Sequence, residues 1–105
     1  VAQLDIGKGT VHELMEKQDD KCWSDSAWEE YTAWQAKDPK MVKRINKLIR
    51  DAERDPFQGI GKPEPLKEDL GGWWSRRIDG TNRLVYRVRN GVLEIAQCGT
   101  HYGNT

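Results

Sequence analysis

The chain reads as an α+β domain in which two N-terminal helices pack on a small antiparallel β-sheet. Three observations predict it. Apolar residues recur at intervals of three and four from Ala27 to Ala52. The period then switches to two after Trp73, and Asn90-Gly91 stands between the last two apolar runs as a strong hairpin signal. At 105 residues, with 36% hydrophobic and 32% charged content, the length suits one self-supporting core and leaves no room for a second.

Residues 1–20 read as an arm, with Gly7 and Gly9, a short apolar rhythm of Val11, Leu14 and Met15, and a polar ending at Asp19 and Asp20. The domain proper spans residues 21–105. Lys21–Trp23 suits a short strand, and Ser24–Ser26 offers helix caps, with Ser26 and Glu29 spaced as a capping box. Ala27, Trp28, Tyr31 and Trp34 follow at helical spacing. Asp38 before Pro39 is a second N-cap with proline at the first helical position, and Val42, Ile45, Leu48, Ile49 and Ala52 continue the helical pattern as far as Asp55-Pro56. Residues 56–67 form a loop by their proline and glycine content. Trp74 and Ile78, and then Leu84, Tyr86 and Val88, alternate with polar positions before the last run, Val92–Cys98. The alternation puts Arg83, Arg87 and Arg89 on one side of their strand together with Val85. That side is either a solvated sheet face or a surface for an anion.

Composition narrows the function. No apolar run approaches the length of a membrane span, and the first twenty residues carry acids where a signal peptide needs an apolar stretch, so the chain reads as soluble and cytoplasmic. Cys22 and Cys98 are far apart with no CxxC pairing, which signals neither a disulfide framework nor a metal site and reads as two reduced, half-buried thiols. The formal charge of zero hides an asymmetry. Residues 1–20 hold five acids against two basic residues, whereas residues 37–89 hold 14 basic residues against 8 acids. A surplus of that size steers a domain toward a polyanion, and solubility alone would also explain it.

The stretches SDSAWEEYTAWQ, DPFQGIGKPEPLK and WWSRRIDGTNRLVYRV, with the late pair HY, together resemble the YoeB/Txe family of bacterial toxins, within the RelE-like ribosome-dependent messenger RNA endonucleases. The resemblance runs from about residue 21 to residue 102. It implies a RelE-like fold of two helices on an antiparallel sheet, in agreement with the pattern above. It also implies cleavage of messenger RNA in the A site of the 70S ribosome without metal or other cofactor, a YefM/Phd-type antitoxin as partner, and dimerisation, which is typical of the family.

Metal-free cleavage of RNA needs a base for the ribose 2′-hydroxyl, a cation for the charge that develops on phosphorus, and an acid for the leaving 5′-oxygen. The family pattern falls on Glu64, Arg83, His101 and Tyr102. Pro63 and Pro65 stiffen the backbone around Glu64, which suits a positioned base as well as an exposed loop acid bridged to Lys62 or Lys67. Arg83 offers a permanently charged fork for a phosphate oxygen. His101 is the natural acid, because its ordinary pKa lies near neutrality. Tyr102 orients the scissile phosphate by stacking or hydrogen bonding, and the assignment of base and acid between Glu64 and His101 awaits pH–rate profiles of single mutants. Lys62, Lys67 and Arg77 are supporting cations by the same resemblance, with Arg87 and Arg89 added as RNA- or ribosome-binding residues from their sheet face. His12 lies outside the match and takes no catalytic role.

Two segments fall outside the family pattern. Such toxins commonly stop at His-Tyr, whereas Gly103-Asn104-Thr105 follow here. The stretch VAQLDIGKGTVHELMEK resembles the C-terminal end of YefM-type antitoxins, so residues 1–20 are either an antitoxin-derived peptide that covers the basic face or an ordinary extension. Two other functions share the fold class: a ParE-like poison of DNA gyrase, and a silent RNA- or antitoxin-binding module inhibited by its own arm.

Overall fold

The computed structural model describes residues 20–100 of the chain. Residues 1–19 and 101–105, which carry the arm, His101, Tyr102 and the Gly103-Asn104-Thr105 ending, lie outside the described residues. The element order is β1 (Asp20–Trp23), α1 (Asp25–Lys37), α2 (Pro39–Arg54), β2 (Glu64–Pro65), a 3-10 turn at Glu68–Leu70, β3 (Trp74–Arg77), β4 (Arg83–Arg89) and β5 (Val92–Gly99). The five strands make one sheet in the order β1-β5-β4-β3-β2.

Local chemistry sets the helix ends. Ser24 caps α1, its hydroxyl accepting from the Ala27 amide at 3.0 Å, so the Ser26–Glu29 capping box is not the start of the helix. The reason is tertiary. Ser24 is already anchored to β5, donating its amide to the Ile95 carbonyl and its hydroxyl to the Ala96 carbonyl. Asp38 caps α2 through the Lys40 amide, with Pro39 at the first helical position where no N–H is needed. Asp55, extended at φ −154° because Pro56 follows, ends it.

One face of the sheet carries the core. Ile45, Leu48, Ile49 and Ala52 of α2 and Ala27 of α1 meet Leu84, Tyr86, Leu93, Ile95 and Cys98 of β4 and β5, with Ile78 alongside. Burial of each large aliphatic side chain in this set contributes roughly 1.5–3 kcal/mol. Cys98 is fully buried and Cys22 is exposed, so the two thiols differ where both were expected to be half-buried.

The sheet differs from the expected antiparallel meander in two respects. β1 runs parallel to β5, with Trp23 opposite Ile95, because both helices intervene before the chain re-enters at the far edge. A four-residue strand with no hairpin partner carries no sequence signal for that pairing. In addition, Glu64 and Pro65, inside the segment read as a loop, pair with Ser75 and Trp74 as an edge strand, where a proline is tolerated. The Asn90-Gly91 turn forms as predicted, with φ of 54° and 78°. Across it the register slips once: Val85 faces Gln97 while Tyr86 faces Ile95, leaving Ala96 as a bulge. The bulge reverses the phase of β5, sending Cys98 to the core beside Leu84 and Gln97 to the opposite face.

Candidate active site

The sheet face turned away from the helices brings two of the expected residues together. Glu64 pairs with Ser75, Ser75 with Val85, and Val85 with Gln97, and cross-strand partners share a face. The next row is Arg77, Arg83 and Gly99. Two strand spacings and two residues along the strand separate Glu64 from Arg83, so their α-carbons stand roughly 12 Å apart by sheet geometry. Between them the floor is dry, since Ser75 and Val85 are each 2% exposed, while Glu64 itself is open to solvent.

Arg83 is held by its own turn. Its Nη1 donates to the Asp79 carbonyl at 2.8 Å and the Asn82 carbonyl at 3.1 Å. Asp79 in turn accepts from the Asn82 and Thr81 amides, which hold its carboxyl below the usual carboxylate range, the Asn82 amide most. The guanidinium is therefore fixed, while its remaining N–H groups make no hydrogen bond among the described residues. Among the described residues Glu64 makes no ion pair, so the bridge to Lys62 or Lys67 is not formed. Lys62 and Lys67 are exposed on the chain either side of Glu64, and Arg77 is exposed beside Arg83.

Arg87 and Arg89 stand apart. Arg87 bonds Glu94 through Nε and lies over the Trp73 ring at 4.2 Å, and Arg89 reaches the other oxygen of Glu94 at 3.5 Å. Arg87 in particular holds the Glu94 carboxyl below its ordinary range. These cations share the face with Arg83 but lie on the far side of the Val85 row, toward the hairpin turn. The basic surplus is also divided between the two layers, since Lys40, Lys43, Lys47 and Arg50 are exposed on α2. His101 and Tyr102 fall outside the described residues. The last described residue, Thr100, follows Gly99, the partner of Arg83.

The sequence reading missed Arg76. Of the two arginines in WSRRI, Arg77 points outward and Arg76 is wholly buried. Its Nη1 donates to Asp51 Oδ2 at 2.6 Å and the Ile60 carbonyl at 3.1 Å, its Nη2 to the Asp55 and Gln58 carbonyls at 2.6 and 3.2 Å, and its Nε to the Tyr86 hydroxyl at 2.9 Å. All five N–H donors of the fork have an acceptor. The loop from Asp55 to Ile60 is thus wound around one cation, and the Tyr86 hydroxyl closes it by donating to the Pro56 carbonyl at 2.6 Å. Gly61 continues the frame by accepting the Arg77 amide at 2.7 Å, three residues before Glu64. The signal was present: Arg76 shares the alternation of Trp74 and Ile78, the apolar side of the strand.

Among the described residues no three His, Cys, Asp or Glu side chains gather closely enough to hold a metal, and no helix is long and apolar enough to cross a membrane.

Comparison with known proteins agrees with this fold. The family model described as the YoeB-like toxin of bacterial type II toxin–antitoxin systems matches residues 23–102. Toxin YoeB of Escherichia coli strain K12 is 54% identical over 80 residues, which are 76% of this chain and 95% of that protein. Two solved structures from Staphylococcus aureus superpose closely. One, the heterotetrameric YoeB–YefM toxin–antitoxin complex, has a TM-score of 0.76 at 44% identity, covering 81% of this chain and 99% of the matched one. The other, a YoeB dimer, has a TM-score of 0.74 at 45% identity, covering 79% and 97%.

Proposed function

The chain belongs to the YoeB-like toxins of bacterial type II toxin–antitoxin systems, and from that membership we propose that it is a ribosome-dependent messenger RNA endonuclease. The observation that carries the reading is the pair Glu64 and Arg83 on one sheet face. The carboxylate is unpaired among the described residues, the guanidinium is fixed by its turn, and roughly 12 Å of buried floor separates their backbones.

In the proposed reaction Glu64 takes the proton of the ribose 2′-hydroxyl, and that oxygen attacks the adjacent 3′-phosphate. The new O2′–P bond forms as the P–O5′ bond breaks, and His101 protonates the departing 5′-oxygen. The products are a 2′,3′-cyclic phosphate and a 5′-hydroxyl. Arg83, already oriented, neutralises the charge that gathers on the phosphorus oxygens without reorganising during the step. Tyr102 orients the scissile phosphate. Lys62, Lys67 and Arg77 bind flanking phosphates, and Arg87 and Arg89 contribute a more distant field because Glu94 partly neutralises them.

The substrate is messenger RNA in the A site of the 70S ribosome, so the protein acts in the cytoplasm. A YefM-type antitoxin and a second copy of the chain are the proposed partners, supported by the Staphylococcus aureus complex and dimer. Residues 1–20 precede the matched region and carry an acidic surplus opposite to that of the body. As an antitoxin-derived arm they would cover the basic face in cis, tethered at an effective concentration of order millimolar.

Primer extension on ribosomes carrying a defined message tests the reading, with residues 1–20 present and removed. The trimmed protein is expected to cut within the A-site codon, and Glu64→Gln to slow the cut by at least about a hundredfold. Ribosomes left intact by the trimmed protein, with trapped gyrase–DNA complexes in a parallel assay, would establish the ParE-like alternative. Intact ribosomes and unaffected gyrase would leave the binding module.

A further inference from the structure

β1 protects the outer edge of β5 only as far as Ile95. Beyond it, side chains of α1 and its cap do the work of a neighbouring strand. Ser24 takes the Ala96 carbonyl. Two residues on, Glu30 Oε1 accepts the Cys98 amide at 2.8 Å, and Trp34 Nε1 donates to the Cys98 carbonyl at 2.9 Å. One residue is thus gripped by both of its backbone polar groups, three positions before His101.

The surroundings make this grip decisive for the line of the chain. A cleft of about 260 Å³, bounded by Glu30, Trp34, Lys37, Asn82, Gly99 and Thr100, opens beside the end of β5, so past the Cys98 side chain, which packs in the core, no neighbouring strand backs this edge. Gly99 has no side chain, and a Cβ at that position would stand 2.7 Å from Glu30 Oε2. The missing atom is what lets the carboxylate lie against the strand. Lys37 sits 5.3 Å from the centre of the Trp34 ring and steadies the indole from the solvent side. Both backbone groups of Cys98 would otherwise be buried beside a cavity with no strand to pair them.

We propose that Glu30 and Trp34 are positioning residues of the RNA-cutting site, fixing where the chain leaves the sheet beside Arg83 and so where its acid meets the leaving oxygen. The inference rests on the ribonuclease reading above. Neither side chain touches the message in this scheme. They act through the backbone, and a shift of about 1 Å in a reacting group can cost on the order of a hundredfold in rate.

Trp34→Phe keeps an aromatic ring, smaller than the indole, and deletes the N–H donor. Glu30→Ala deletes the acceptor, and Glu30→Gln keeps an oxygen in its place. In single-turnover cleavage of programmed 70S ribosomes by the trimmed protein, Trp34→Phe and Glu30→Ala should cut about tenfold or more slowly at saturating toxin. The toxin concentration giving half the maximal rate should stay within about twofold, because binding is not the step affected. Glu30→Gln should restore most of the rate. Folded variants that cut at the parent rate, or a Glu30→Gln that falls as far as Glu30→Ala, would overturn the positioning role. If Trp34→Phe does not fold, the Glu30 pair decides alone. A parent protein that leaves ribosomes intact would defeat the ribonuclease reading as well, whereas a cutting parent with equally fast variants defeats only the positioning role.

Discussion

Arg76 shows what a single residue does for the domain. Taking a guanidinium out of water is costly unless every donor is met, and here Asp51, the Tyr86 hydroxyl and three carbonyls meet all five. Removing it leaves three carbonyls around a hole and takes one partner from the Asp51 carboxylate, which keeps Arg54 and the Ile60 amide. Arg76→Ala should therefore destabilise the fold by about 3–5 kcal/mol in denaturant titration. Asp51 carries the matching pH dependence. Arg54 first, then Arg76, hold its carboxyl well below the usual carboxylate range. A depressed native pKa favours the folded state above the ordinary carboxylate value, about 4, and that gain is lost as pH falls below it. The melting temperature should accordingly be level in this contribution above about pH 5 and drop in acid, with a shallower drop in Asp51→Asn. The two thiols also divide by environment. Burial, with the Glu30 charge adding, pushes the Cys98 thiol up to about 12, while Cys22 is exposed. A thiol reagent at neutral pH should label Cys22 alone in the native protein and both thiols in denaturant; fast labelling of Cys98 in the native state would contradict its burial.

At the scale of elements, the loop that leads to Glu64 is a rigid frame, and its glycines differ in kind. Gly59 and Gly91 both have positive φ, at 137° and 78°. A Cβ at Gly91 meets nothing within 4 Å, so Gly91→Ala should cost only the backbone strain, about 1–2 kcal/mol. At Gly59 the added atom would stand 1.9 Å from Asp51 Oδ2, inside the Arg76 frame. Gly59→Ala should therefore cost clearly more, by a further 1–3 kcal/mol or so. Equal losses in the two variants would show that the frame yields freely. These elements were unequally legible in the sequence. Asp38-Pro39, Asp55-Pro56 and Asn90-Gly91 are covalent or steric instructions that act locally, and each ended or turned the chain where expected. Among the caps offered at Ser24–Ser26, Ser24 is selected over the Ser26–Glu29 box by its bonds to β5, 72 residues on at Ala96. The β2 pairing, the parallel β1 and the Ala96 bulge depend on the same kind of distant contact.

For the whole molecule, the helices bury one sheet face and leave the other as a working surface, and alternation was enough to predict which arginines lie there. It could not tell that Arg87 and Arg89 share the one carboxylate of Glu94, because partner choice is a property of the folded surface, and six of the cations in the basic surplus lie in the other layer, on α2. Glu64 and Arg83 were legible as a pair only through the family pattern. Spacing in the chain says nothing of their common face, which arises from β2 pairing with β3 and β3 with β4. The central claim is that this face turns the message's own 2′-hydroxyl against its neighbouring phosphate. The most direct measurement replaces one ribose, on the 5′ side of the cut, by 2′-deoxyribose in a message loaded on ribosomes, and maps the 5′ ends left by the trimmed protein. Loss of the cut at that phosphodiester, with an all-ribose message still cleaved, is the predicted result. A cut that persists at the substituted position would contradict 2′-hydroxyl attack.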